Sequence, residues 1–181
     1  MKNKIKICNT IKPFNKILEI EGDKSLSIRW ALLASQAKGK SRAYNLLRSL
    51  DILSTLNCLK KLGTKIKLKK KYCEIEGRGL NNFINKKIIL NAGNSGTLGR
   101  LLLGLLVHHK SKVKLIGDNS LSKRDFSRVV HPLKKFGAYI KYKSNYKLPI
   151  EIYGTNKPKP IIYHERKGSA QCKSAVMLAA L

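Results

Sequence analysis

Residues 59–72 read LKKLGTKIKLKKKY, and residues 133–146 read LKKFGAYIKYKSNY, so one pattern recurs after 74 positions. Eight of the fourteen aligned positions are identical. The matched glycine, Gly63 or Gly137, and the matched isoleucine and tyrosine are more informative than the lysine matches, because lysine is abundant throughout the chain. Self-similarity at a fixed spacing indicates that the fold is built from repeated supersecondary units.

Each copy predicts a helix that leads into a pair of strands. Gly63 and Gly137 stand directly after the helices, where glycine readily adopts the left-handed conformation. The alternating segment Lys65–Lys69 predicts a strand with one wet face and one buried face. The helices of the two copies are predicted at residues 52–62 and 129–136, and the second strand of each pair at residues 73–75 and 148–153.

A second repeated element opens the other helices. Three glycine-led segments read GDKSLSIRWALLAS from Gly22, GNSGTLGRLLLGLL from Gly93 and GSAQCKSAVMLAAL from Gly168. Their spacings are 71 and 75 residues, and an arginine, Arg29 or Arg100, stands seven positions after each of the first two glycines.

We therefore expect a unit of helix, strand, helix, strand and strand, preceded by a short strand such as residues 88–90 or 160–163. The chain would hold two such units and the beginning of a third, in which Ser169 caps the last helix. That helix stays apolar to Leu181, without a closing glycine or a return to polar sequence, so we interpret the polypeptide as an incomplete domain.

The composition favours a protein that binds anions. The chain carries 38 basic and 10 acidic residues, a net charge of +28, and such a charge attracts anions of any kind. The basic residues are spread along the whole length, with neither a basic tail nor an aromatic-basic RNA motif. A small anionic substrate and a nucleic acid therefore both remain open at this point.

The cysteines and histidines predict neither a disulfide frame nor a metal centre. The four cysteines contain no C-x-x-C pair, which favours reduced thiols in a cytosol. The pair His108-His109 and His131 lack metal-ligand spacing. No apolar run reaches the roughly 20 residues that span a bilayer, and the start lacks a signal-peptide core. We therefore expect a cytoplasmic protein without a metal or a membrane partner.

Cations stand at the predicted helix N-termini. The first has Lys24 and Arg29, and a fourth candidate helix, SLSKRDFSR, has Lys123 and Arg124 after a cap at Ser122. A helix N-terminus already carries roughly half a positive charge, so cations are expected there when an anion binds between them. The alternative for any single cation is a solvated surface group, because 38 of the 181 residues are basic.

Taken together, the motifs resemble the signatures of the 5-enolpyruvylshikimate-3-phosphate (EPSP) synthase family. EGDKSLSIR resembles the family's P-G-D-K-S-x-S-H-R, and GNSGTLGR is similar to G-N-[AS]-G-T-x-x-R. GDNSLSKR resembles G-D-x-S-L-x-x-R, and SAQCKSA resembles S-[AS]-Q-x-K-S-A. The four motifs occur in family order across essentially the whole chain, which would be the first part of the family's usual length. The departures from the family pattern are Glu21, Ile28, Leu101 and Asp125.

The resemblance implies an α/β (α+β) fold of repeated βαβαββ units with helices and mixed sheets. Family members have two similar domains of three units, with the active site in the cleft between them. Residues 1–20 would then be leading strands that belong with the second domain, which full activity would require. Residues 21–181 would be an incomplete N-terminal domain, with units at about residues 21–80, 86–155 and 158–181.

The reaction implied by the resemblance belongs to the shikimate pathway. It transfers the enolpyruvyl group of phosphoenolpyruvate to the 5-hydroxyl of shikimate 3-phosphate and releases phosphate, without a cofactor. Lys24 would be catalytic, touching both substrates and assisting proton transfer. The implied contacts of shikimate 3-phosphate are Lys24, Ser25, Arg29, Ser169, Ala170 and Gln171. The implied contacts of phosphoenolpyruvate are Lys24, Gly96, Arg124 and Gln171.

Some residues and two rival functions stay open. Asn94, Thr97 and Arg100 either shape the second helix N-terminus or are purely structural. A UDP-sugar enolpyruvyl transferase would share the fold, but it normally opens with N-G-x-K-N where this chain has GDKS. A basic nucleic-acid-binding module is the rival from a different class, and steeply salt-dependent DNA binding would distinguish it.

Overall fold

A computed structural model describes residues 8, 12, 13, 15, 17, 20–165 and 167–181. The first unit consists of α1 (Lys24–Gln36), β1 (Lys38–Tyr44), α2 (Leu50–Lys61), β2 (Lys65–Leu68) and β3 (Tyr72–Arg78). Its strands form an antiparallel sheet in the order β1-β3-β2. The leading strands expected within residues 1–20 lie almost entirely outside the described residues.

The second unit repeats this order with one additional strand in front and one additional short helix, α4 (Asn119–Ser122). It consists of β4 (Ile88–Asn91), α3 (Gly96–Leu105), β5 (Val113–Ile116), α4 (Asn119–Ser122), α5 (Ser127–Lys135), β6 (Tyr139–Tyr142) and β7 (Ile150–Tyr153). Its sheet has the order β4-β5-β7-β6, with a parallel β4–β5 pair and antiparallel pairs elsewhere. Helix α6 (Ala170–Ala179) follows.

The structure confirms the mixed α/β fold and the internal repeat. Both units end in an antiparallel hairpin, β2–β3 or β6–β7, that follows a helix. Gly63 and Gly137 directly follow the C-caps of α2 and α5, with φ of +92° and +109°. These are left-handed angles that a side chain would strain, so both glycines end their helices as the sequence indicates.

The prediction of a strand at residues 160–163 is wrong, because these residues belong to neither sheet. The equivalent strand β4 pairs with β5, the strand that follows its own helix α3. Among the described residues, α6 is followed by no strand that could pair with this segment. Ile161 and Tyr163 instead lie partly buried against the core.

Helix α3 lies at the centre of the fold. Leu101, Leu102 and Leu103 are three successive positions, and all are completely buried. A helix that is apolar on every side must be covered on every side, which places α3 in the core. Phe126, directly before α5, is also completely buried and contacts the position of Gly99.

Helices α3 and α6 run parallel and in close contact. Arg100 bonds Gln171, and His108 bonds the carbonyl of Ala179, so both pairs are 71 positions apart. Between them, a Cβ at Gly104 would lie 2.2 Å from the carbonyl oxygen of Ala175. The constant offset shows that the two helices align in register, with their N-termini at the same end.

A buried carboxylate holds the segment that leads into α6. Glu165 accepts hydrogen bonds from the Tyr163 hydroxyl, the Arg128 guanidinium and the backbone N–H of Lys167. Its side chain is only 5% exposed. The Tyr163 bond above all, followed by those from Arg128 and Lys167, lowers the pKa of Glu165 to about 2. The charged form of Glu165 is therefore the one that fits this site.

We predict that Gly104→Ala destabilises the fold, because its methyl group would collide with the Ala175 backbone. Overpacking of this kind costs about 1–3 kcal/mol. Gly99→Ala is the matched control in the same helix, since its methyl group would meet side chains and no backbone, with the Phe126 ring nearest at 3.3 Å. Thermal unfolding should show Gly104→Ala several degrees below Gly99→Ala, and equal midpoints would contradict the close contact.

We also predict that Glu165→Gln destabilises the chain in a pH-dependent way. The lowered folded pKa means that the carboxylate adds stability above the unfolded pKa of about 4.3, and this contribution is lost as pH falls through about 2. The difference in thermal unfolding midpoint between the variant and the wild type should be largest above pH 5 and should shrink toward pH 2. Glu76→Gln, which removes an exposed ion pair with Lys65, should change little at either pH. A difference that does not depend on pH would refute this assignment.

Candidate active site

The N-terminus of α1 carries Lys24 and Ser25. Asp23 caps this helix by accepting a bond from the backbone N–H of Leu26 at 2.7 Å. The Lys24 ammonium lies 3.4 Å from a carboxylate oxygen of Asp51, in the first turn of α2. Ser25 is half-buried, and its carbonyl accepts a bond from Arg29 at 3.2 Å. Lys24 itself is 54% exposed, so its ammonium can be approached from solvent.

Arg29 connects α1 to α6. Its Nε and Nη2 each lie 3.2 Å from the hydroxyl oxygen of Ser174. Ser174 is one turn beyond Ala170, whose carbonyl accepts its hydroxyl bond at 2.7 Å. Within the described part of the chain Arg29 forms no ion pair, so a bound anion would meet an uncompensated guanidinium.

Two further arginines converge on the N-terminus of α3. Ser95 caps this helix by accepting from the N–H of Leu98 at 3.2 Å. A Cβ at Gly96, the next residue, would lie 2.9 Å from Nη1 of both Arg100 and Arg124. Two guanidinium groups at one backbone position repel each other unless an anion lies between them, and the helix N-terminus adds to this positive potential.

Arg100 is the more buried of these two arginines. It donates to the carbonyls of Gly96 and Asp125 at 3.3 and 3.0 Å, and its guanidinium lies over the Phe126 ring. It also donates to Oε1 of Gln171 at 3.1 Å. Burial lowers the pKa of Arg100, and among the described residues it has no ion-pair partner.

The prediction that Ser122 caps a helix N-terminus is wrong. Asp118 caps α4, accepting from Leu121 N–H at 2.7 Å, and Ser122 is the last residue of that short helix. Lys123 therefore marks a helix C-terminus, and Arg124 follows it in a loop. Arg124 still reaches a helix N-terminus, that of α3, where its Nη2 donates to Asn94 at 3.1 Å.

The N-terminus of α6 brings three of the predicted residues to α3. Ser169 caps the helix as predicted, accepting from the N–H of Cys172 at 3.2 Å, and its own O–H remains a potential donor. Ala170 is exposed in the first position. Gln171 is half-buried and donates from Nε2 to the Thr97 hydroxyl at 3.0 Å.

The predicted residues thus fall into two connected groups. Gly96, Arg124, Ser169, Ala170 and Gln171 lie at the adjoining N-termini of α3 and α6. Arg29 and Ser25 are tied to α6 through the bonds of Arg29. Lys24 makes its one ion pair among the described residues with Asp51.

Sequence reasoning missed two residues and left three undecided. It did not identify Asp51 or Ser174, because an acid at a helix start and a serine within a helix are ordinary features. Asn94, Thr97 and Arg100 stood inside the second motif, and the structure joins each of them to Arg124 or Gln171. The Asp125 carboxylate accepts hydrogen bonds from the backbone N–H and the hydroxyl of Ser127, the first residue of α5.

These groups are suited to oxyanions. Guanidinium groups, hydroxyls and helix N–H groups all donate hydrogen bonds, and phosphate and carboxylate oxygens accept them. A cavity of about 970 Å³ lies elsewhere, beside Asn45, Arg48 and Lys70, and none of the predicted residues lines it. We place the site at the helix N-termini because that is where uncompensated cations converge.

The described residues contain no cluster of three or more histidine, cysteine or acidic side chains that could hold a metal ion. Cys58, Cys73 and Cys172 are buried and unbridged, and burial raises the pKa of the Cys58 thiol to about 11. His109 is buried, which lowers its pKa. In the part of the chain that the structure describes, every helix is too short or too polar to cross a membrane.

The chain matches one family along nearly its whole length. The profile of EPSP synthase (3-phosphoshikimate 1-carboxyvinyltransferase) covers residues 8–181. A 3-phosphoshikimate 1-carboxyvinyltransferase of Streptococcus pyogenes serotype M4 (strain MGAS10750) is 40% identical over 178 residues, which are 98% of this chain and 42% of the relative. The enzyme of serotype M3 (strain ATCC BAA-595 / MGAS315) is also 40% identical, over 179 residues.

Solved structures lead to the same family. An EPSP synthase from Acinetobacter baumannii superposes with a TM-score of 0.85 at 35% identity, covering 90% of this chain and 37% of that one. The chain thus spans about two fifths of the length of the relatives it matches. From the extent of the family match and the fold it shares with these structures, the chain belongs to the EPSP synthase family.

Proposed function

We propose that this chain binds shikimate 3-phosphate and phosphoenolpyruvate and forms part of a 3-phosphoshikimate 1-carboxyvinyltransferase. The observation that supports this most directly is the convergence of Arg100 and Arg124 on Gly96, beside Gln171. Three hydrogen-bond donors and a helix N-terminus meet there without a carboxylate partner among the described residues, which suits a small molecule with two anionic groups.

We assign shikimate 3-phosphate to the side formed by α1 and α6. The Ser169 hydroxyl and the free N–H groups of α6 would bind its phosphate, because both donate hydrogen bonds to oxyanions. Arg29, held between Ser25 and Ser174, would add a guanidinium without an ion-pair partner among the described residues. Ser25 and Ala170 would shape this side of the site.

We assign phosphoenolpyruvate to the side formed by α3. Gly96 has no side chain, so the phosphoenolpyruvate can approach the α3 backbone, and Arg124 would bind an anionic group of this substrate. Gln171 would lie between the two substrates. A methyl group at Gly96 would displace both arginine side chains, which is the physical reason for glycine at this position.

Lys24 is the candidate proton-transfer residue of this part of the site. An ammonium group can stabilise negative charge on both substrates and can donate a proton as the 5-hydroxyl adds to phosphoenolpyruvate. The pair with Asp51 at 3.4 Å restricts where the ammonium lies. Elimination of phosphate from the resulting tetrahedral intermediate would then give the enolpyruvyl product.

We further propose that residues outside this chain complete the site, in a second domain that closes the cleft, and that the protein works in the cytoplasm. The resemblance assigns an aspartate, a glutamate and further cations to that second domain. The residues brought together here supply donors and cations, whereas the known reaction also needs carboxylates for proton transfer. The chain would then serve as the half that recognises anions.

We predict that Arg29→Ala weakens binding of shikimate 3-phosphate about tenfold or more, because charge-assisted bonds contribute about 1.5–3 kcal/mol. Arg42→Ala removes the same charge from β1, where Arg42 is paired with Glu74, and should change the affinity less than twofold. Calorimetric titration of both variants tests this assignment. Equal losses would mean that the overall charge of the chain attracts the ligand.

We predict that the 181-residue chain binds shikimate 3-phosphate weakly and releases little or no phosphate from the two substrates together. A continuous phosphate-release assay measures this turnover directly. Normal turnover would contradict the assignment of proton-transfer groups to a second domain. Steeply salt-dependent DNA binding, without any response to shikimate 3-phosphate, would instead favour the nucleic-acid-binding alternative.

A further inference from the structure

The side-chain amide of Gln171 is held from two sides by α3. Its Oε1 accepts a hydrogen bond from Nη1 of Arg100 at 3.1 Å. Its Nε2 donates to the hydroxyl oxygen of Thr97 at 3.0 Å. Thr97 is buried and one turn ahead of Arg100 on the same helix, so α3 contacts both ends of the amide.

The chemistry of Arg100 determines which way this amide is oriented. A guanidinium only donates hydrogen bonds, so the amide atom that contacts it must be the oxygen. The reversed amide would place two donors against each other and leave a buried donor unsatisfied, which costs about 1–3 kcal/mol. Arg100 cannot easily turn away, because the carbonyls of Gly96 and Asp125 and the Phe126 ring also hold it.

One hydrogen of the Gln171 amide then remains unused. Nε2 carries two hydrogens, and Thr97 accepts one of them. The second hydrogen has no acceptor within the described residues. Gln171 lies in the first turn of α6, beside the α3 N-terminus where Arg100 and Arg124 converge. One N–H of Nε2 is therefore free to donate at this place, whereas Oε1 already contacts the Arg100 guanidinium.

We propose that Arg100 and Thr97 are positioning residues that fix Gln171 as a hydrogen-bond donor to an anionic oxygen of a bound substrate. Through this orientation the site prefers a ligand that presents an oxyanion to Gln171 over one that presents a hydroxyl or amine donor. The inference rests on the proposed function, since it names the role of one residue between the two substrates. The new element is that two residues of α3, Arg100 and Thr97, set the orientation of the Gln171 amide.

A double-mutant cycle on the 181-residue chain tests whether Thr97 acts through Gln171. Thr97→Val removes the acceptor hydroxyl at nearly constant volume and constant charge. Nuclear magnetic resonance titration with shikimate 3-phosphate should show about five- to tenfold weaker binding for Thr97→Val, and at most twofold weaker binding for Thr97→Ser. In a Gln171→Ala background, Thr97→Val should cause no further loss.

Arg100→Gln, compared with Lys67→Gln, provides a second measurement. Both substitutions remove one positive charge, but Lys67 lies exposed on β2, in the three-stranded sheet of the first unit. The Gln171 side-chain amide resonances should shift in Arg100→Gln even without ligand, and they should be unchanged in Lys67→Gln. This readout does not depend on substrate binding.

The outcomes separate the two proposals. If the wild type binds shikimate 3-phosphate but Thr97→Val binds equally well, or loses as much in the Gln171→Ala background as alone, the positioning role is refuted and the proposed function stands. If the wild-type chain binds neither substrate, both are refuted. Unchanged Gln171 resonances in Arg100→Gln refute the role of Arg100 by themselves.

Discussion

The close parallel contact between α3 and α6 is the constraint on which the site depends. Gly104 lets the backbone of one helix approach the other so closely that any side chain there would collide with Ala175. The same alignment sets Arg100 beside Gln171. Two helices in register have their N-termini at the same level, so their free N–H groups and their partial positive charges act on the same volume.

The site uses charge in a different way from the rest of this basic chain. Elsewhere, several cations are neutralised by acids, as in the pairs Arg42–Glu74 and Arg128–Glu165. At the helix N-termini, the arginines instead bond carbonyls, hydroxyls and amides, which fix their positions without cancelling their charge. A net charge of +28 attracts anions generally, whereas these positioned guanidinium groups can select one.

Much of the fold could be predicted because its signals are local. Glycine after a helix, a serine cap such as Ser169 and alternation within a strand each depend on a few neighbouring residues. The internal repeat then extended these local predictions to the arrangement of whole units. The two wrong predictions arose where a local signal was compatible with two structures. Asp118 and Ser122 are both suitable helix caps, and residues 160–163 are apolar enough for a strand.

By itself, the sequence determined the repeated unit, the positions of the main helix N-termini and the family to which the chain belongs. These follow from residue order, because motifs and capping residues act over a few positions. Only the tertiary structure decided that Arg124 reaches α3 from a loop, that Ser174 holds Arg29, and that Arg100 orients Gln171. Those contacts join residues up to 145 positions apart. They depend on how closely two helix backbones pack, and no local pattern of residues records that distance.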